Sequence, residues 1–285
     1  MSIVCLGGWC LILNNVVADM HTHSQHSHDS VCPIEEMCIS QIEKCTKIFA
    51  VTDHCDVFSF KHYDIFTPIK VAYEEVKLLN EKYGKECLLL SGVEISEGFW
   101  FPQEYKKIHD LVPFDVIIGS VHCVKHPKYN MAYSKIDFSA FSKEEIYDYL
   151  DCYFDDMITM INETDFDILA HLTCPIRYIT SKYGIEIDIR MFEEKINRIL
   201  TLIIEKNIAL EINTSGFSIL NDTIPSNDIV SKYYALGGRL ITIGSDAHIK
   251  ENASMNFGAV IEEIKKIGFE NICYYKDRKV NKIKI

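Results

Sequence analysis

A chain of 285 residues with 48% hydrophobic and 25% charged side chains can build one sizeable core and is too apolar to be disordered. Its net charge of -12 excludes a protein whose main role is to grip nucleic-acid phosphates, since that affinity comes from Lys and Arg. The eleven cysteines are scattered without a C-x-x-C pair, which argues against a disulfide framework and a zinc ribbon. We expect a cytoplasmic protein without nucleic-acid or membrane partners, and the sequence leaves its oligomeric state open.

The first seventeen residues form a region of their own. They carry no Lys or Arg and so lack the charged start of a secretory signal. Asn14 and Asn15 also interrupt them before they reach the roughly 20 apolar residues that a membrane span needs. We therefore divide the chain into an N-terminal extension, 1–17, and one domain of single-barrel length, 18–285.

From Val16 onward, apolar runs of strand length alternate with amphipathic runs of helix length. The first predicted strand leads to His21 and His23, and the others cover 48–52, 87–94, 114–122, 166–171, 208–214 and 240–248. Helical spacing covers 34–45, 69–83, 103–111, 143–162, 188–206, 226–236 and 255–267, and a β-like tail follows. Seven such units predict an α/β fold with a parallel sheet. The chain length favours a single barrel. We expect the segment 123–142 to lie over the barrel mouth.

Most of the predicted strands end in a side chain that can bind a metal ion. Side chains two apart on a strand share a face, so His21 and His23 can hold one ion between them. Taken singly, that pair is better explained as a polar loop, and His54, His122 or His171 as a buried, hydrogen-bonded histidine. Chance does not explain the same pattern at nearly every strand end, and in a parallel barrel these ends converge on one face. The candidates are His21, His23, Asp29, His54, Glu94, His122, His171, Asp246 and His248.

Imidazole and carboxylate ligands together suit zinc, manganese or iron. The absence of a cysteine from every predicted strand end argues against a closed structural zinc site. Nine candidate ligands are too many for one ion. The sequence therefore predicts two to three divalent metal ions.

Nine short motifs between Asp19 and about Lys279 resemble those of a known family. They are D-M-H-T-H-S, S-x-D-S, V-T-D-H, G-V-E-I, F-D-V-I-I-G-S-V-H, D-I-L-A-H-L, L-E-I-N-T-S-G, L-G-G-R and I-G-S-D-A-H. The chain resembles the polymerase and histidinol phosphatase (PHP) superfamily, and within it the monofunctional histidinol-phosphate phosphatases. The resemblance implies a distorted, TIM-like (β/α)7 barrel with a trinuclear metal site.

The resemblance also implies how the ligands are shared. A first ion would take His21, His23, Glu94 and Asp246, a second would take the bridging Glu94 with His122 and His171, and a third would take Asp29, His54 and His248. Family members often carry an aromatic residue where His26 stands, and His28 is a credible substitute for Asp29. We interpret the remaining histidines as surface or substrate-loop residues: His62, His109 and His126.

Two ions about 3.5–4 Å apart can share a water, lower its pKa and direct the hydroxide at phosphorus. Arg177, shortly after His171, is the candidate substrate-binding residue because its fork can take two phosphate oxygens, although a surface ion pair is the simpler alternative. Asp246 and His248 are both candidate catalytic acids for the leaving alcohol. A cationic substrate would need a carboxylate and aromatic contacts, for which the candidates are Asp56, Glu97, Phe99 and Trp100.

The leading hypothesis is a metal-dependent phosphomonoesterase that acts on a small phosphorylated substrate. It would hydrolyse L-histidinol phosphate to L-histidinol and phosphate in histidine biosynthesis. A nuclease or nucleotide phosphatase of the same superfamily is the second hypothesis, and the acidic composition counts against it. A non-catalytic metal-binding scaffold is the third, and the full set of candidate ligands counts against that.

Overall fold

The computed structural model of the protein describes residues 17–126, 128–129 and 131–285. The expected extension, 1–17, lies outside the described residues except for Val17, which is buried. Within these ranges, eight strands of one sheet are followed by a two-stranded hairpin. The strands are β1 (Ala18–Thr22), β2 (Ile48–Val51), β3 (His54–Asp56), β4 (Leu88–Ser96), β5 (Val116–Ser120), β6 (Ile168–Leu169), β7 (Ala209–Asn213), β8 (Ile241–Gly244), β9 (Asn271–Lys276) and β10 (Lys279–Lys284).

The eight strands of the large sheet occupy seven positions around the barrel, and we call each position a stave. The sheet order is β1-β2-β4-β5-β6-β7-β8, with every pair parallel, and β3 lies beside β4. Strands β2 and β3 are two parts of one stave, because Ile48 pairs with Leu88 and His54 with Glu94 in the same register. A parallel bridge between Thr22 and Ala247 joins the last stave to the first. This nearly closed barrel confirms the predicted α/β, TIM-like (β/α)7 fold.

Helices connect the staves, and their ends follow local sequence signals. The longest begins with a capping box, in which Ser142 Oγ accepts from Glu145 N at 3.2 Å and Glu145 Oε2 accepts from Ser142 N at 2.9 Å. Every helix in the described ranges is too short or too polar to cross a lipid bilayer. The helices are α1 (Ile34–Glu43), α2 (Thr67–Tyr83), α3 (Pro102–His109), α4 (Lys143–Glu163), α5 (Cys174–Tyr183), α6 (Glu193–Lys206), α7 (Phe217–Leu220), α8 (Asn227–Ala235) and α9 (Phe257–Ile267).

The alternation of side chains along the staves explains why polar groups collect at one end of the barrel. A single buried cluster holds apolar residues from several staves, among them Ala50, Leu90, Ile118 and Ala209. Residues four positions further along share their face, since the strand period is two. Those residues are His54, Glu94, His122 and Asn213. In these four staves an apolar side chain of the barrel interior is thus followed by a polar one at the carboxyl end.

The β9–β10 hairpin is the predicted β-like tail, and it closes the amino end of the barrel. Tyr275 is buried in the same apolar cluster as Ala50, Leu90, Ile118 and Ala209. Arg278 Nε lies 2.5 Å from Asp167 Oδ2, just ahead of β6, and Arg278 N donates to Asp115 O at 2.9 Å. Ligands therefore reach the described barrel from its carboxyl end.

Candidate metal centre

Glu94 lies at the centre of the carboxyl-end cluster and is fully buried. Its Oε1 lies 2.9 Å from His171 Nε2 and 3.2 Å from His122 Nε2. Its Oε2 lies 2.7 Å from His54 Nδ1 and 3.5 Å from His21 Nε2. A carboxylate with basic nitrogens beside both of its oxygens is suited to bridging two ions.

The other predicted ligands adjoin this centre. Asp246 Oδ1 lies 3.2 Å from His23 Nε2, and Asp29 Oδ2 lies 3.3 Å from His248 Nε2 and 3.5 Å from His54 Nε2. The structure therefore brings all nine predicted ligands together. Four sets of three residues have donor atoms within 4.8 Å of one another: His21, His23 and Asp246; His21, Glu94 and His171; His23, His54 and His248; and His54, Asp56 and His122.

Asp29 faces the cluster more directly than its neighbour His28. The side chain of His28 is 56% exposed, and its Nδ1 lies 3.7 Å from Asp56 Oδ2. His26 is tied elsewhere, because its Nε2 lies 2.8 Å from Glu75 Oε2 on α2. We therefore keep Asp29 as the candidate ligand on this loop.

Three histidines are held by Nδ1, so that Nε2 faces the cluster. His21 Nδ1 lies 2.6 Å from Glu211 Oε1, and His23 Nδ1 lies 3.0 Å from Ser27 Oγ. His248 Nδ1 lies 2.9 Å from a backbone carbonyl oxygen. These contacts favour the proton on Nδ1 and leave Nε2 as the basic nitrogen, which is the form that binds a metal ion.

Two candidate ligands have a left-handed backbone. His171 has a φ of 23° and Asp246 has a φ of 55°, values that cost non-glycine residues on the order of 1–3 kcal/mol. Hydrogen bonds hold both: His171 N donates to Glu211 Oε2 at 2.7 Å, and Asp246 N donates to His21 O at 2.8 Å. The turn at each strand end thus aims the side chain at the cluster.

The residues present fit divalent metal ions. Buried polar atoms of the cluster have no hydrogen-bond partner within the described part of the chain: His21 Nε2, His23 Nε2, His54 Nδ1, Glu94 Oε2 and His171 Nδ1. His54 Nδ1 and Glu94 Oε2 are close but are not aligned for a hydrogen bond. A buried polar atom without a partner costs about 1–3 kcal/mol, and coordination to cations would satisfy those that face the cluster, such as His21 Nε2, His23 Nε2 and Glu94 Oε2.

Opposite charges perturb the pKa values in the cluster. Burial acts to raise the pKa of Glu94, yet the facing imidazoles, chiefly those of His122 and His54, hold it well below its usual range. Burial acts to lower the pKa of His54, but Glu94 and Asp29 raise it to about 10. Burial, together with the neighbouring His248 and His54, holds the pKa of His23 well below its usual range. Ions that enter this cluster would therefore displace protons from some ligands and find others already neutral.

Two acidic residues that sequence reasoning did not assign support the ligands. Glu211, in the middle of β7, contacts His21 and also accepts from His171 N. Asp53 accepts from Ser24 N at 2.6 Å and from Ser27 Oγ at 2.8 Å. The available signal for Glu211 is an acidic residue inside a fully buried strand, since a buried charge must be paired.

Replacing Glu211 with glutamine is expected to weaken metal binding about 10- to 100-fold, because His21 loses the carboxylate that orients its ring. Titration of metal into chelator-treated protein measures this. The matched control is Glu263→Gln, which removes an exposed ion pair with Lys266 and should leave metal affinity unchanged. Equal affinity of the Glu211→Gln variant and the unaltered protein would contradict the prediction.

A cavity of about 350 Å³ opens above the cluster, a volume suited to a small ligand. Residues 132–135 form part of its wall, as expected for a segment over the mouth. Arg177 Nη1 donates to Ser215 Oγ at 2.6 Å, and the guanidinium stacks on Tyr178 at 4.8 Å from the ring centre. The polar groups that line the cavity include Asp29, Asp56, His122, Arg177, Ser215 and Asp246.

The further substrate-contact candidates divide between cavity and core. Asp56 lines the cavity. Glu97 is fully buried instead, and its Oε1 accepts from His122 N at 2.6 Å and from Cys123 N at 2.8 Å. Phe99 is buried, and Trp100 packs against the core. Glu97 therefore supports His122 from behind rather than meeting a ligand.

The histidines interpreted as surface or loop residues lie apart from the four ligand sets. His109 Nε2 lies 3.1 Å from Asp165 Oδ2 and 3.1 Å from Arg278 Nη1, near the hairpin that closes the amino end. His126 Nε2 lies 3.1 Å from Asp148 Oδ2. His62 is exposed. His62 and His109 are exposed or half-exposed, as the surface interpretation requires, whereas His126 is buried within the segment 123–142 and does not line the cavity.

The protein is a parallel α/β barrel with imidazoles, carboxylates and an arginine around a small cavity at its carboxyl end. This arrangement is that of a metal-dependent hydrolase. The family model described as "PHP domain" matches residues 19–215. Together with full-length relatives, this match shows that the chain belongs to the PHP domain family.

Relatives of similar length carry one activity in their names. The chain is 31% identical to a probable histidinol-phosphatase of Thermotoga maritima over 88% of this chain and 93% of the relative. It is 29% identical to a probable histidinol-phosphatase of Clostridium acetobutylicum over 92% of this chain and 98% of the relative. The crystal structure of histidinol phosphate phosphatase from Lactococcus lactis, complexed with zinc, L-histidinol and phosphate, superimposes with a TM-score of 0.75 at 22% identity, covering 93% of this chain and 98% of that one. This likeness shows a shared fold.

Proposed function

We propose that the protein is a metal-dependent histidinol-phosphatase, which hydrolyses L-histidinol phosphate to L-histidinol and phosphate in histidine biosynthesis. The observation that carries the proposal is the cluster of nine candidate ligands open to a cavity of about 350 Å³ that also holds Arg177. Relatives named for this activity cover nearly the whole chain. A biosynthetic role of this kind also fits a cytoplasmic location.

Two to three divalent ions, zinc, manganese or iron, would be held as the family resemblance implies. His21, His23, Glu94 and Asp246 would hold the first, Glu94, His122 and His171 the second, and Asp29, His54 and His248 the third. Such ions activate water as a nucleophile and neutralise charge on the phosphate oxygens.

The protein's own groups bind and orient the substrate. Arg177 takes the phosphate oxygens, with its guanidinium plane fixed between Ser215 and Tyr178. Asp246 and His248 both line the cavity, and one of them would act through a bound water that gives its proton to the leaving alcohol. On the wall that also carries Phe58, Asp56 supplies a carboxylate for the cationic end of the substrate. The small cavity and the charge of -12 favour a small phosphorylated substrate over nucleic acid.

Phosphate release from L-histidinol phosphate by the metal-loaded protein tests the proposal. We expect turnover, and we expect His171→Ala to lower kcat/KM by about 1000-fold or more, because Glu94 loses a facing ligand. His109→Ala is the matched control, since His109 lies at the opposite end of the barrel and should leave kcat/KM within about twofold.

Parallel assays separate the competing functions. Turnover of oligonucleotides or nucleotides without turnover of histidinol phosphate would favour the nuclease or nucleotide phosphatase. Fewer than two ions per chain in the loaded protein, with no hydrolysis of any phosphate ester, would favour a non-catalytic scaffold. Each of these results would overturn the proposed substrate.

A further inference from the structure

Strand β7 contributes none of the nine candidate ligands, yet its inward-facing side chains reach the cluster. Glu211 contacts His21 and His171 N, and Asn213 Nδ2 donates to Glu211 Oε2 and to Asp246 Oδ2, both at 3.2 Å. Both side chains are buried. The strand therefore touches candidate ligands that come from three other staves.

The same strand also leads to the phosphate-binding candidate. Asn213 Oδ1 accepts from Ser215 Oγ at 2.6 Å and from Ser215 N at 3.0 Å. Ser215 Oγ in turn accepts from Arg177 Nη1 at 2.6 Å. A continuous line of hydrogen bonds thus joins the guanidinium of Arg177 to the carboxylates of Asp246 and Glu211.

Every bond in this line points the same way. Arg177 donates to Ser215, Ser215 donates to Asn213, and Asn213 donates to the two carboxylates. A serine hydroxyl has one proton, and this arrangement uses it once while the oxygen accepts once. Because the line begins on a cation and ends on carboxylates, each bond polarises the next in the favourable direction.

Backbone contacts fix the two middle members of the line. Asn213 N donates to Ile224 O and Asn213 O accepts from Ile224 N, both at 3.0 Å. Thr214 N donates to Gly244 O at 2.8 Å, which ties the end of β7 to β8. Gly244 is itself closely packed, since a Cβ there would overlap Glu211 and the Cβ of His21. Asn213 and Ser215 are therefore held in place independently of Arg177.

We infer that Asn213 and Ser215 are positioning residues, which fix the guanidinium of Arg177 relative to the candidate metal ligands Asp246 and His21. The phosphate group would then meet the arginine and the ions at a set separation, which is what orientation in a phosphoryl-transfer site requires. This inference rests on the proposed phosphatase function, because it takes phosphate as the group that Arg177 binds. Ser215 lines the same cavity, so direct contact of its hydroxyl with phosphate is the alternative to be tested.

A double-mutant cycle distinguishes a Ser215 that positions Arg177 from a Ser215 that contacts phosphate directly. Calorimetric binding of inorganic phosphate to metal-loaded protein is measured for the unaltered chain, Ser215→Ala, Arg177→Ala and the double variant. We expect Ser215→Ala to weaken phosphate binding about tenfold in the presence of Arg177 and less than about twofold in its absence. Ser215→Thr keeps the hydroxyl and is expected to bind phosphate within about twofold of the unaltered protein.

The controls are metal content and a matched surface serine. Metal content should be the same in every variant, and Ser231→Ala, which removes only a hydroxyl on α8, should bind phosphate normally. Equal weakening by Ser215→Ala in both backgrounds would overturn the inference in favour of direct phosphate contact. Loss of metal from Ser215→Ala would overturn it in favour of metal support. If the unaltered protein hydrolyses histidinol phosphate while the cycle is additive, the inference fails alone. If it neither binds phosphate nor hydrolyses histidinol phosphate, the inference and the proposed function fail together.

Discussion

Replacing Glu94 with glutamine is expected to lower kcat/KM by about 1000-fold or more. Glu94 faces five histidines through its two oxygens, and glutamine would replace one oxygen by an NH2 group that cannot bind a cation. The variant should also hold at least one ion fewer per chain after metal loading. Steady-state kinetics and elemental analysis of the same preparation measure both effects.

The matched control for Glu94 is a half-buried glutamate–histidine contact in the same protein. Glu75 lies 2.8 Å from His26, outside the four ligand sets, so Glu75→Gln should change neither kcat/KM nor metal content. A Glu94→Gln variant with full metal content and near-normal turnover would show that Glu94 does not bridge ions.

Replacing Asp19 with alanine is expected to lower the free energy of unfolding by about 3–4 kcal/mol. Asp19 is fully buried and accepts from Ser245 N at 2.9 Å, Gln41 Nε2 at 2.8 Å and Ser254 N at 3.2 Å. Burial raises the pKa of this carboxyl group, and these hydrogen bonds act in the opposite direction. Alanine would remove the acceptor of Ser245 N, Gln41 Nε2 and Ser254 N. Denaturant unfolding of the metal-free protein gives the change directly.

A surface aspartate provides the comparison for Asp19. Asp110 pairs with Lys106 in an exposed i,i+4 contact, so Asp110→Ala should cost less than about 1 kcal/mol. Similar losses for the two variants would mean that the bonds around Asp19 do not stabilise the barrel.

The strand ends were the most predictable part of the site. A run of buried apolar residues that stops at a histidine or carboxylate can be recognised without knowing the partners, and His54, Glu94 and His122 follow that pattern. The geometry of parallel barrels then brings such ends together, which is why ligands far apart in sequence could be grouped. The seven staves and most helices were predictable for the same reason, since periodicity is a local property.

The residues that sequence reasoning missed are those defined by a distant partner. Glu211 contacts His21, 190 positions earlier in the chain, and its own strand reads as an ordinary buried run. Asp19 bonds Ser245 across 226 positions. Helix α5 was not predicted, although Pro175 marks its first turn. Glu97 was assigned to the mouth, but its left-handed backbone, with φ of 50°, turns it into the core.

The barrel closes between Thr22 and Ala247, so the candidate metal centre lies where the first and last strands of the barrel meet. His21 and His23 belong to the first stave, whereas Asp246 and His248 follow the last one, beyond the residues 19–215 that the family model covers. A piece of the chain that ends before β8 would therefore lack part of the proposed ligand sets of the first and third ions. Ions bound across this junction would stabilise the closed barrel through the proposed ligands. Chelation is therefore expected to loosen the contact between the first and last strands before the rest of the barrel.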